Sequence, residues 1–268
     1  MFADYHNHTD FSYDCGLPME TSIRQAIKLG IQDICYTEHF DIGSISSYTC
    51  DSHSYYETFK KLKQVYGDKV SLKFGMEFGV QTHTVPMFEK LFGSYPFDFI
   101  LLSMHQVDNK EFWNQSFQRG KSQKQYIEEY YDELLGIVKK FNNYSVLGHM
   151  DVIRRYDRNG DYPFEKIMYK IEDILKIVIE NGKGIEVNTS CYRYNVGDLM
   201  PSTDIIKLYK KLGGEIITVG SDSHYSEHVG YRVLETQQAL SELGFKYVCT
   251  FEKMVPTFHS IECKKTLH

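Results

Sequence analysis

Short β-rich apolar runs alternate along the chain with longer segments of helical spacing, the pattern expected of parallel βα units. The runs predict strands near Phe2–His6, Asp33–Thr37, Leu72–Met76, Phe97–Met104, Ser145–His149, Gly184–Asn188 and Glu215–Gly220, with an eighth near Tyr247–Phe251. Between them the apolar spacing predicts helices over Met19–Leu29, Ser54–Tyr66, Val85–Phe92, Ser122–Phe141, Glu165–Glu180, Ser202–Leu212 and Tyr231–Leu243. Gly30, Gly213 and Gly244 follow three of these segments, where a left-handed residue closes a last helical turn. Two longer stretches, Asp41–Asp51 and Gln106–Lys121, break the rhythm, and insertions after barrel strands usually build the mouth of a site.

The strand-like runs end in metal-capable side chains: His6, His8, Asp14, His39, Glu77, His105, His149, Asp222 and His224. Nine such groups are too many for one ion. Successive positions lie about one βα unit apart, and the long gap before Asp222 holds the extra run GIEVNTS, so all can meet at one end of a barrel. His6 and His8 alternate along a strand and therefore share a face. TEH at Thr37–His39, GMEFG at Gly75–Gly79, SMH at Ser103–His105, GHMD at Gly148–Asp151 and GSDSH at Gly220–His224 each fall at a predicted strand end. Any one of these histidines alone is more often a satisfied polar residue than a ligand. Their joint placement on the face where barrel enzymes gather catalytic groups is a different matter. Imidazoles and carboxylates without a cysteine cluster suit hard-to-borderline divalent ions in a catalytic, not a structural, site.

At 268 residues and 42% hydrophobic content, a single domain over residues 1–268 is expected. A net charge of −6, with no basic track, disfavours nucleic acid as a partner. The 21 tyrosines are not interleaved with a basic patch and read as packing residues. No apolar stretch approaches the ~20 residues that cross a bilayer, so no membrane partner is expected. Six scattered cysteines, with no CxxC pair and no leader-like segment, suggest reduced thiols in the cytoplasm, and Cys35 reads as a small hydrophobe in a strand. The sequence sets no oligomeric state.

Taken in order, HNH, TEH, GMEFG, SMH, GHMD and SDSH resemble the motifs of the polymerase and histidinol phosphatase (PHP) superfamily, over essentially the whole chain. GHMDVIRRY and EVNTS look like segments of its histidinol-phosphate phosphatase branch. The resemblance implies a distorted, TIM-like (β/α)7 barrel with up to three divalent metals (zinc, manganese or iron) at the C-terminal ends of its strands. It implies a first metal on His6, His8, Glu77 and Asp222, a second on Glu77, His105 and His149, and a third on Asp14, His39 and His224. Asp14 stands where some relatives have histidine.

A metal-bridging hydroxide held by Glu77, His105 and Asp222 is then the expected nucleophile, since paired ions acidify water and stabilise in-line displacement at phosphorus. Arg155 and Arg193 are the expected phosphate-binding side chains. The implied reaction is hydrolysis of a small-molecule phosphate monoester, L-histidinol phosphate, to L-histidinol and phosphate. The competing readings are a PHP phosphoesterase for a nucleotide, phosphotyrosine or nucleic-acid ester, and a non-catalytic scaffold.

In GIEVNTS, Glu186 and Asn188 alternate with Ile185 and Val187, so the polar pair faces the barrel interior if the aliphatic pair packs on helices. Glu186 is then placed to orient a metal-binding imidazole or to attract a substrate ammonium. His83 and His228 are candidate cleft residues, whereas His53, His259 and His268 have no spacing that suggests chemistry.

Overall fold

The computed structural model describes residues 1–43 and 48–261. The predicted loop Asp41–Asp51 is therefore described only at its two ends, and Cys263 and His268 lie outside the described residues. In chain order the first elements are β1 (Ala3–Asp4), α1 (Met19–Leu29), β2 (Asp33–Asp41), α2 (Ser52–Tyr66), β3 (Ser71–Gly79), α3 (Val85–Phe92) and β4 (Phe99–Ser103). A small hairpin, β5 (Gln106–Val107) and β6 (Lys110–Glu111), occupies the second long loop. Then come α4 (Gln123–Lys140), β7 (Val146–Leu147), α5 (Phe164–Glu180), β8 (Gly184–Asn188), α6 (Thr203–Lys211), β9 (Ile217–Gly220), α7 (Val233–Glu242), β10 (Tyr247–Glu252) and β11 (Val255–Ser260).

Seven strands form one parallel sheet in the order β1, β2, β3, β4, β7, β8, β9. The sheet curls so that its first and last strands meet. Tyr5 N donates to Val219 O at 3.1 Å, His8 N donates to Ser223 O at 2.9 Å, and Asn7 and Ser223 form an isolated parallel bridge. The buried Asp4 carboxylate fastens the seam by accepting from Ser221 N (2.8 Å), Ser221 Oγ (2.6 Å) and Gly230 N (2.8 Å). The result is a nearly closed, distorted (β/α)7 barrel.

The helices form where their apolar stripes meet the sheet. In α5, Ile167, Ile171, Ile174, Leu175 and Val178 recur at helical spacing and are all buried, each such burial contributing about 1.5–3 kcal/mol relative to exposure. Ser122 and Gln125 cap α4 reciprocally. Gly30, Gly213 and Gly244 take φ of 74°, 90° and 87°, as their places after helices require.

Two apolar clusters result. The larger fills the layer between sheet and helices; the smaller, with Tyr5, Cys35, Phe99, Leu101, Val146, Cys249 and Phe251, fills the N-terminal end of the barrel interior. Cys249 and Phe251 come from β10, so the eighth predicted strand does not enter the barrel. It pairs antiparallel with β11 and stops that end, with Tyr5 hydroxyl donating to Phe251 O at 3.2 Å. The opposite end is left for polar groups.

Candidate metal centre

The donors come from the C-terminal ends of six barrel strands. The DYHNH backbone is gripped from both sides: the Asn7 side chain donates to Asp4 O and Cys35 O, both at 3.1 Å, and Thr37 N donates to Asn7 O at 2.9 Å. Beyond Asp4 the backbone leaves the regular strand, and His6 and His8, two residues apart, both turn inward, fully buried, with their Nε2 atoms 3.0 Å apart. His39 on β2 and Glu77 on β3 are direct partners in the parallel register. His105 follows β4, His149 follows β7, and Asp222 and His224 follow β9. Asp222 adopts φ 55°, and its N–H donates to His6 O at 2.8 Å. Glycines make the room: a Cβ at Gly79 would strike the Asp41 carboxylate, and one at Gly220 would strike His6 and Glu186.

Glu77 lies at the centre. Its Oε2 is 3.3 Å from His6 Nε2, 3.5 Å from His8 Nε2 and 3.0 Å from His39 Nδ1. Its Oε1 is 3.2 Å from His105 Nε2 and 3.0 Å from His149 Nε2. Asp222 Oδ1 lies 3.7 Å from His6 Nε2 and 3.6 Å from His8 Nε2. Asp14, at the mouth and with its side chain 35% exposed, places Oδ2 3.5 Å from His39 Nε2 and 3.3 Å from His224 Nε2. All nine donors expected from the sequence are thus brought together. Four overlapping triads have donor atoms mutually within 4.8 Å: His6, His8 and Glu77; His39, Glu77 and His105; His6, His149 and Asp222; His8, His39 and His224.

These residues fit divalent cations. Neither Glu77 oxygen has a partner of hydrogen-bond geometry although the side chain is fully buried. An enclosed carboxylate of this kind costs several kcal/mol unless positive charge compensates it. Burial alone would raise the Glu77 pKa, but positive charge on His6, His105 and His39 outweighs it and holds the carboxyl well below the usual range. Burial, reinforced by His39, His224 and His6, drives His8 well below the ordinary imidazole value, towards the neutral form that ligates metals.

Beside the donors is a cavity of about 260 Å³, lined in part by Arg155 and Arg193. Arg155 donates to Ser190 Oγ and, at 3.2 Å, to Asp222 Oδ2, while Arg193 Nη2 donates to Asp222 O at 2.8 Å. Arg155 Nε and Arg193 Nη1 are buried donors without a hydrogen-bond partner. Arg154 turns away and pairs with Asp151 (3.1 Å) and Asp161 (2.9 Å). His228 lines the cavity, whereas His83 is exposed and outside it.

The model of the PHP domain matches residues 4–190, more than half of the chain. The chain belongs to the PHP domain family. A histidinol-phosphatase of Lactococcus lactis subsp. lactis is 28% identical over 258 residues, covering 94% of this chain and 94% of the relative. A probable histidinol-phosphatase of Clostridium acetobutylicum is 29% identical over 261 residues, covering 94% and 98%. Among solved structures, histidinol phosphate phosphatase from Lactococcus lactis, complexed with zinc, L-histidinol and phosphate, superimposes with a TM-score of 0.86 at 27% identity, covering 95% of this chain and 98% of that one.

A second layer of the PHP site orients the imidazoles. Glu186 Oε1 is 2.6 Å from His6 Nδ1, and its Oε2 accepts from His149 N at 2.9 Å, so this buried carboxylate supports the donors from behind. Asp41 Oδ1 lies 2.8 Å from His105 Nδ1. Ser12 Oγ lies 3.1 Å from His8 Nδ1, accepts from His39 N at 3.0 Å, and donates to Glu38 Oε2 at 2.6 Å. Asp41, Ser12 and Glu38 are absent from the expected site. For Asp41 a signal was present, because β alternation puts it on the same face as His39; Ser12 and Glu38 carry no comparable mark.

Proposed function

We propose that the protein is a metal-dependent phosphomonoesterase that hydrolyses L-histidinol phosphate to L-histidinol and phosphate, acting as one catalytic domain in the cytoplasm. The observation that carries this reading is the partnerless Glu77 carboxylate enclosed by five imidazoles, beside two arginines with free donors. Histidinol-phosphatase names among the relatives, and L-histidinol and phosphate in the Lactococcus structure, supply the substrate. The five described cysteines are free thiols, and no helix among the described residues is long and apolar enough to cross a membrane.

In this reading three divalent ions, zinc, manganese or iron, are held by His6, His8, Glu77 and Asp222, by Glu77, His105 and His149, and by Asp14, His39 and His224. Bound there, the ions supply Lewis acidity, which acidifies water and offsets charge developing at phosphorus. Glu77 would serve two of the three ligand sets. Arg155 Nε and Arg193 Nη1 donate to phosphate oxygens, and the anchoring of both guanidiniums on Asp222 sets their forks before substrate arrives. Glu186 and Asp41 keep His6 and His105 from swinging out of the cluster.

Phosphate release from a panel of esters tests the reading. The metal-loaded protein should turn over L-histidinol phosphate far faster than nucleoside monophosphates, phosphotyrosine or single-stranded nucleic acid. Rapid hydrolysis of one of those beside weak turnover of histidinol phosphate would reject the substrate assignment.

A further inference from the structure

The mouth of the cavity is aromatic. Tyr13, Trp113, Tyr194 and Tyr225 are among the most exposed large apolar side chains of the described residues, at 50%, 56%, 55% and 60%, and all four line this cavity. Exposed aromatic surface gathered at one concave place marks a recognition surface.

Three of the four rings already have a partner. Tyr13 stacks on Tyr48 with centroids 4.2 Å apart, Tyr194 lies under the Arg155 guanidinium at 4.1 Å, and Tyr225 meets His228 edge-on at 5.3 Å. Trp113 has no ring, cation or hydrogen-bond partner among the described residues. Its backbone is nonetheless firmly placed, because the adjacent Phe112 is buried against Phe117 and Tyr130, with centroids 5.3 and 5.4 Å away. An indole held open over a cavity by a buried neighbour is a preformed stacking face.

Charge narrows the ligand. The only carboxylates lining the cavity among the described residues are Asp14, Glu77 and Asp222, and all three face imidazoles of the donor cluster. A positively charged organic group at the mouth therefore meets aromatic faces and a single partly exposed carboxylate, Asp14, whose Oδ2 already faces His39 and His224, so cation–π attraction and stacking are the main means available to hold it.

We propose that Trp113 is the platform for the alcohol half of the ester, its indole face receiving a flat nitrogen heterocycle that carries or shares positive charge. This rests on the histidinol phosphate reading, since an imidazole on a short chain from the phosphate is such a group. It deepens that reading by assigning leaving-group recognition to one side chain outside the donor cluster.

The chain has one tryptophan, so its intrinsic fluorescence reports on this position alone. Titrating the metal-loaded protein with L-histidinol should change the tryptophan emission saturably, whereas L-valinol, an amino alcohol without the ring, and inorganic phosphate should not. No change at histidinol concentrations that inhibit phosphate release, or an equal change with valinol, overturns the proposal. In parallel, Trp113→Leu should lower the ratio of kcat/KM for histidinol phosphate to that for glycerol phosphate about tenfold, mainly through KM, and Trp113→Phe should restore most of it. An unchanged ratio in Trp113→Leu also overturns it. A histidinol-dependent emission change in a protein that fails to hydrolyse histidinol phosphate would sink the substrate reading and leave the platform standing.

Discussion

Glu77 and His39 face each other across adjacent parallel strands, partners in register, with His39 Nδ1 3.0 Å from Glu77 Oε2. This pairing couples the two halves of the donor cluster. Through its other nitrogen His39 reaches Asp14 at the mouth, and through its other oxygen Glu77 reaches His105 and His149. A displacement of either strand end would be felt across the whole site.

Asp41→Asn tests the second layer. Asp41 Oδ1 lies 2.8 Å from His105 Nδ1, and an amide there orients the imidazole less firmly and lowers its basicity. Metal affinity or kcat should fall about 10- to 100-fold with KM little changed. Atomic emission analysis of dialysed protein beside steady-state kinetics reads both; wild-type values in both would remove Asp41 from the account.

Arg193→Ala should act on substrate capture. Loss of a charge-assisted hydrogen bond to phosphate corresponds to roughly 1.5–3 kcal/mol, or about a 10- to 100-fold rise in KM. His105→Ala should instead collapse kcat. If the two variants show the same split between KM and kcat, the separation of phosphate-binding and metal-holding roles is wrong.

Chelation should destabilise the fold as well as stop turnover. Ions bound only to the native state stabilise it by mass action, and for a chain of this length the loss corresponds to a fall in Tm of about 5 °C or more. Scanning calorimetry with and without chelator measures it, and superimposable melts would contradict metal binding by the native state.

Asp33 offers a pH test away from the donors. Burial, opposed by Lys73, Ser71 and Tyr5, pushes its pKa up to about 6. The folded state therefore prefers the protonated acid: the stability this group contributes is full below about pH 4 and is lost as pH rises through 6, by roughly 3 kcal/mol at most. Asp33→Asn should raise Tm relative to wild type at pH 8 and lose that advantage near pH 4, read as the difference between paired melts. A difference independent of pH would show that burial does not set this group's ionisation.

Much of this was legible in the chain because periodicity is local. The runs ending at His39, Glu77 and Asp222 announce strands, and α1 and α3 have the predicted limits of Met19–Leu29 and Val85–Phe92. Since parallel strands all present their C-terminal ends on one side, strand-end donors had to converge. Strand extents were less legible: β1 pairs only over Ala3–Asp4, because the backbone beyond it is held by the Asn7 side chain and by Ser223. The β5–β6 hairpin turns locally at Asp108 and Asn109, with φ of 50° and 58°, whereas the inward packing of β10 depends on contacts remote in sequence. Trp113 was silent for the same reason, since only the assembled cavity distinguishes it from any exposed aromatic residue.

The central claim is that these nine side chains hold metal ions, and the most direct measurement is anomalous diffraction at the metal absorption edges from crystals of the metal-loaded protein. The account predicts strong peaks within about 2.0–2.3 Å of ligand atoms of Glu77 and of the imidazoles of His6, His105 and His149. Ordered, fully loaded crystals with no anomalous peak beside Glu77 would contradict it.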